Sequence, residues 1–144
     1  ILIQGYLFMS AFTKLADNFF IYGQISPSHI NQASSQGIKT IVNLRPDAEK
    51  PGYLDAEDAA DVAEDNNLKY HHLPIALSGP SPDQVVSFVE LMQNSEGPLL
   101  VHCGSGKRAA ILWALAHKDK ISADEILTRC ANCGHDLAML RPYL

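Results

Sequence analysis

Blocks of apolar residues alternate along this chain with blocks of mixed helical pattern, and the punctuation between them is sharp. Phe19-Phe20-Ile21-Tyr22, aromatic and β-branched, predicts a first strand. Ser26-Pro27 supplies an N-cap followed by Pro at the first helical position, and Gly37 a stop, so a modest helix lies between them. Ile38 to Leu44 (IKTIVNL) has the unbroken apolar character of a buried parallel strand. Leu54 to Asn66, rich in Ala, Asp and Glu, reads as an exposed amphipathic helix. Lys69 to Ile75 (KYHHLPI) predicts another strand, near an edge because Pro74 removes a ladder donor. Ser81-Pro82-Asp83-Gln84 is a capping box that opens a helix to about Asn94. Pro98 to His102 is a continuous apolar run, and Ala109 to His117 is apolar nearly all round, as expected of a buried helix. Ser122 to Glu125 reads as a second capping box, and Gly134 ends the helix it opens.

Strands alternating with helices predict a three-layer αβα domain around a mostly parallel central sheet. Ligands of such sheets lie beyond the carboxyl ends of the strands. Two loops meet that rule: Arg45-Pro46-Asp47 after IKTIVNL, and Cys103 to Arg108 after the run that ends at His102.

The second loop carries the chemistry. In VHCGSGKRAA a cysteine ends a buried strand and a helix starts a few residues later. Gly104 and Gly106 allow a tight turn in which backbone N–H groups converge as an anion-binding nest. The helix N-terminus adds its positive field, and Lys107 and Arg108 add formal charge. A guanidinium can hold two oxygens of a tetrahedral anion. The same field favours a thiolate at Cys103, so nucleophile and oxyanion receptor lie in one short loop.

Composition narrows the class. The 144 residues suit one domain, and 47% hydrophobic with 19% charged residues is globular. Eleven Lys and Arg against sixteen Asp and Glu give a net charge of −5, which argues against nucleic acid and anionic membrane as partners. No apolar run approaches the ~20 residues of a membrane span. Three cysteines cannot close a disulfide framework, which points to a reducing compartment and a cytoplasmic location. Residues 1–16 read as an amino-terminal extension before a domain spanning residues 17–144. Within it Ile1 to Phe8 is apolar without an initiating Met, whereas Met9-Ser10 reads as a start. A vector-derived remnant, a genuine extension and the tail of a processed segment all stay open.

The loop resembles the His-Cys, five residues, Arg signature of the cysteine-dependent protein phosphatases, but is one residue shorter: Gly104, Ser105, Gly106 and Lys107 stand between Cys103 and Arg108. It also resembles the short loop of the rhodanese sulfurtransferases, whose cysteine carries a persulfide. The loop alone leaves the two level. The run FFIYGQISPSHINQASSQGIKTIVNLRPDAE, then LKYHHLPI, then PLLVHCGSGKRAAILWALA resembles the bacterial beta-lactamase-hydrolase-like phosphatase family, over about residues 17 to 140. Its most specific pieces are Gly23-Gln24, Asn43 to Asp47 with Glu49, and the Cys-x-x-Gly-x-Arg loop. The shortened loop is a mark of that family, whose fold looks like a compact dual-specificity phosphatase.

The resemblance implies phosphate-ester hydrolysis through a cysteinyl-phosphate, on a phosphorylated small molecule or phosphoprotein, phosphotyrosine included, without cofactor or metal. Cys103 would attack, while Arg108 and the loop from Gly104 to Lys107 hold the phosphoryl oxygens. Ala109 stands where many cysteine phosphatases place a Ser or Thr that helps the thiolate leave, so slow turnover is expected, and Ser105 is a substitute hydroxyl donor. The leaving oxygen needs a general acid. Asp83, on the SGPSPD segment, is one candidate, although an acid in the first turn of a helix is favoured there by the dipole alone. Asp47 is the rival. Arg45 either meets substrate at the pocket rim or pairs with Asp47 and Glu49 as a clasp. His102 is expected to hydrogen-bond the loop and orient Cys103, with a satisfied core histidine as the alternative. His71 and His72 face opposite ways on their strand and cannot form one ligand pair. Cys130 and Cys133 lie near the end of a helix rather than its start, which favours packing over redox or metal chemistry. A non-catalytic anion-binding module is the third functional reading, beside phosphatase and sulfurtransferase.

Overall fold

A computed structural model describes residues 11–144. Five strands form one sheet in the order β1-β2-β5-β3-β4: β1 Thr13–Ala16, β2 Phe19–Tyr22, β3 Thr40–Asn43, β4 Lys69–His72 and β5 Leu99–His102. Only β1 runs antiparallel, against β2. The other pairings are parallel and in one register, with Ile21, Val101, Val42 and His71 side by side across the sheet. The helices are α1 Pro27–Ser35, α2 Ala56–Asp65, α3 Pro82–Asn94, α4 Lys107–Ala116 and α5 Ala123–Asn132.

Period-two alternation along the strands divides the core in two. Ile41, Leu100, Phe20 and Tyr22 face α1 and α2, with Ile30, Ala33, Ala59 and Ala63. Phe19, Ile21, Val42, Leu99 and Val101 face the opposite side, with Phe88, Leu112, Trp113 and Ile126 from α3, α4 and α5. The expected αβα layering with a mostly parallel sheet is therefore the observed one. The central strands β3 and β5 are buried throughout, and β4 lies at the edge with exposed residues, as Pro74 foretold.

Three details differ. The sheet starts earlier than residue 17: Thr13–Ala16, placed in the extension, pairs with β2 and buries Leu15. Its alternating pattern is too short to announce a strand by itself. The proposed second capping box is half formed, because Ser122 accepts from the Glu125 N–H while the Glu125 carboxylate turns to Arg129 at 3.2 Å. Helix α4 begins at Lys107 rather than Ala109, so the helix N-terminus lies within the loop itself. Ile1 to Phe8 and the Met9-Ser10 start lie outside the described residues. No helix among those described is long and apolar enough to cross a membrane.

Candidate active site

Four loops meet at the carboxyl ends of the parallel strands. Cys103 follows β5 and is fully buried, with its N–H bonded to the Tyr22 carbonyl at 3.3 Å. The loop then curls back on the sulfur. The Gly106 N–H donates to Cys103 Sγ at 3.1 Å, with Gly106 at φ +91°, a conformation that suits glycine. A backbone amide thus points at the sulfur beside a helix N-terminus. Ser105 and Lys107 are exposed, and Ser105 Oγ accepts from the Lys107 N–H at 3.4 Å.

Arg108 closes the cradle. Burial opposes its charge, but bonds to Glu49 and the field of the Cys103 sulfur hold it above the ordinary arginine range. Its two terminal nitrogens donate to the Glu49 carboxylate at 2.7 and 2.6 Å, and Nη1 also donates to the Ile75 carbonyl at 2.8 Å. Such a two-pronged contact fixes the plane of the guanidinium as well as its position.

The residues after β3 divide the remaining tasks. Asn43 Oδ1 accepts from the Arg45 N–H at 2.8 Å, turning the chain off the sheet. Arg45 has no exposed surface. Its guanidinium donates to Gln24 Oε1 and to the carbonyls of Pro46, Asp47 and Leu54. The substrate-binding role for Arg45 is thereby corrected to a clasp, and one that grips carbonyls rather than the carboxylates of Asp47 and Glu49. Asp47 accepts from the Ala56 N–H at 2.8 Å, which anchors the start of α2. Glu49, read in the sequence as part of a motif and as a clasp partner for Arg45, is instead the partner of Arg108. From the β2 side, Gly23 presses against the loop: a Cβ there would lie 2.9 Å from the Gly104 carbonyl oxygen, which also accepts from the Gln24 N–H.

Asp83 is exposed in the first turn of α3 and makes no hydrogen bond or ion pair among the described residues. The segment before it is tied to the site through the Ile75 carbonyl, and Gln84 Nε2 donates to the Pro74 carbonyl at 3.1 Å. His102 is fully buried, and neither ring nitrogen makes a hydrogen bond of ordinary geometry among the described residues. Its side chain faces away from Cys103 because neighbouring strand residues alternate. Burial pushes its pKa down to about 3, only partly opposed by the Cys103 backbone. Cys130 lies buried on α5, where burial and then Cys133 raise its pKa to about 11, the opposite of a reactive thiol.

The family described as "Beta-lactamase hydrolase-like protein, phosphatase-like domain" matches residues 11–119. The chain belongs to that family. It is 34% identical over 128 residues to the beta-lactamase hydrolase-like protein of Xylella fastidiosa, an alignment covering 86% of this chain and 29% of the relative. The chain thus spans less than a third of the length of that relative. A Neisseria meningitidis protein described as a "putative phosphatase" superposes with a TM-score of 0.84 at 28% identity, covering 93% of this chain and 96% of the other. The catalytic core of the yeast PP-IP phosphatase SIW14 shares the fold, with a TM-score of 0.71 at 16% identity over 93% of this chain and 83% of that one. This is a phosphatase-like domain on the fold of the cysteine-based tyrosine and dual-specificity phosphatases.

Proposed function

We propose that the domain hydrolyses phosphomonoesters through a cysteinyl-phosphate, with Cys103 as nucleophile. The observation that carries this reading is the Gly106 N–H on Cys103 Sγ at 3.1 Å, beside an Arg108 oriented by Glu49. Cys103 Sγ forms a bond to phosphorus as the ester oxygen leaves. The amides from Gly104 to Lys107 and the Arg108 guanidinium hold the equatorial oxygens, and no metal is needed. Water then displaces the thiolate, the S–P bond breaks and phosphate departs. Ala109, at the head of α4, contributes no hydroxyl to this second step, so turnover is slow.

Asp83 is the general acid in this scheme. The Asp47 carboxylate is engaged by the Ala56 N–H, whereas Asp83 is unencumbered and follows a segment that touches Arg108. The substrate is a phosphorylated small molecule or phosphoprotein, and a cytoplasmic location fits three free thiols.

The test is one preparation assayed for para-nitrophenyl phosphate hydrolysis and for thiosulfate-to-cyanide sulfur transfer, with Cys103→Ser as control. Hydrolysis abolished by Cys103→Ser is expected. Hydrolysis that persists in Cys103→Ser overturns the mechanism, and sulfur transfer without hydrolysis establishes the persulfide reading in its place. Phosphate binding with neither activity marks a non-catalytic anion module. For the acid, Asp83→Asn should slow alkyl phosphates far more than para-nitrophenyl phosphate. The same pattern in Asp47→Asn, with Asp83→Asn unchanged, reverses the assignment.

A further inference from the structure

The end of α5 carries a group that the proposed mechanism does not use. Cys133 caps the helix, Gly134 follows at φ +91°, and the Gly134 N–H donates to the Ala131 carbonyl at 2.9 Å. The His135 N–H reaches back to the Cys130 carbonyl, also at 2.9 Å. These paired bonds form a Schellman motif, which holds the residue after the glycine in a defined direction. Cys130 is fully buried against the core, so the motif is anchored rather than frayed.

The direction is toward the cysteine loop. His135 Nε2 lies 3.3 Å from the point a Cβ on Gly106 would occupy, and the Tyr22 carbonyl lies 3.5 Å from that point. The His135 ring and the end of β2 therefore both close on the face of Gly106 where a side chain would lie. Its N–H is the one that donates to Cys103 Sγ. Burial, and then the charge of Lys107, lower the His135 pKa below the ordinary histidine value, which keeps a neutral ring against the loop at neutral pH.

We infer that His135 is a positioning residue: packed against Gly106, it holds the loop in the turn that points the Gly106 amide at the Cys103 thiolate. A loop this short has few internal contacts of its own, and Ser105 and Lys107 both face solvent. Part of the outside restraint comes from the β2 side, through the Gln24 N–H on the Gly104 carbonyl, and His135 adds to it from the turn that follows α5. The inference rests on Cys103 being the thiolate nucleophile of the proposed phosphatase reaction.

The experiment follows carboxamidomethylation of Cys103 in the full chain with iodoacetamide, read by mass spectrometry of the Cys103 peptide at pH 6 and pH 9. In His135→Ala the rate at pH 6 should fall about tenfold, while the rate at pH 9 stays within twofold of wild type. A loop that had merely come apart would react faster at both pH values through greater access. His135→Gln, whose amide reaches the position of Nε2, should recover most of the pH 6 rate and serves if the Ala variant folds poorly. Rates at pH 6 within twofold of wild type in both variants overturn the inference. The underlying reading fails separately if wild-type Cys103 reacts at pH 6 no faster than glutathione.

Discussion

Glu49 grips Arg108 through both carboxylate oxygens, at 2.7 and 2.6 Å, across 59 residues of sequence. The pair lies mostly out of solvent, with the Arg108 side chain 6% and the Glu49 side chain 17% exposed. It sets the plane of the Arg108 guanidinium, and it neutralises a cation that would otherwise be buried without a charged partner.

Replacing Glu49 tests that relationship on two axes. Glu49→Gln keeps the volume and removes the charge. Breaking a buried pair costs roughly 3–5 kcal/mol, and the partial exposure of Glu49 places this one near the lower figure. Misorientation of Arg108 should also lower kcat/KM by up to ~10²-fold. Urea denaturation and steady-state hydrolysis check both. Unchanged kcat/KM with lost stability would reduce Glu49 to a structural anchor.

Gly23 tests the close approach behind the loop. A Cβ 2.9 Å from the Gly104 carbonyl oxygen meets backbone, which cannot rotate aside. Gly23→Ala should therefore displace the loop, at about 1–3 kcal/mol of overpacking cost. Phosphate affinity should fall along with activity. Isothermal titration with phosphate gives the answer, and an affinity equal to wild type would show that the loop tolerates the shift.

Arg45 separates clasp from substrate contact. Lys at this position cannot span Gln24, Pro46, Asp47 and Leu54 together, and each carbonyl left buried without a donor costs about 1–3 kcal/mol. Arg45→Lys is expected to lose about 3 kcal/mol of stability with KM unchanged in the folded fraction. A raised KM at unchanged stability would return Arg45 to the substrate.

His102 gives the domain a built-in acid sensitivity. Burial lowers its pKa from 6.5 to about 3, so between those values the unfolded chain binds a proton that the folded chain refuses. Stability from this site is complete above pH 6.5 and is lost as the pH falls toward 3, with a slope reaching ~1.4 kcal/mol per unit. His102→Leu should flatten the stability profile between pH 6 and pH 4. It should leave stability at pH 7 nearly intact, since no hydrogen bond of ordinary geometry is removed. Parallel urea-denaturation profiles for the two proteins would contradict the assignment.

Much of this domain is legible in its sequence, and the reason is that the signals are local. Ser26, Ser81 and Ser122 each accept the N–H three residues on, as their caps predict, because a cap is decided within one turn. The β-branched runs around Ile41 and Val101 become the buried central strands, and the edge position of β4 follows from Pro74. The cysteine loop was readable because its glycines, its cysteine and the start of the helix it opens all lie within six residues, Cys103 to Arg108.

What the tertiary structure decided is which distant groups serve that loop. Arg45, Asp47 and Glu49 carry similar charge chemistry on one short segment, and composition cannot divide their tasks. The sheet register and the turn after Asn43 bury Arg45 among carbonyls, set the Asp47 carboxylate against the first N–H of α2 and leave Glu49 to meet Arg108. Thr13–Ala16 is a strand because β2 offers it an edge, and His135 reaches Gly106 only because α5 packs beside α4. Local sequence determined a tight glycine loop, a cradle in shape, with a cysteine at its base. The cradle's clasp and brace came from long-range contacts, which depend on the whole chain closing around one sheet and leave no periodic trace in the segments that make them.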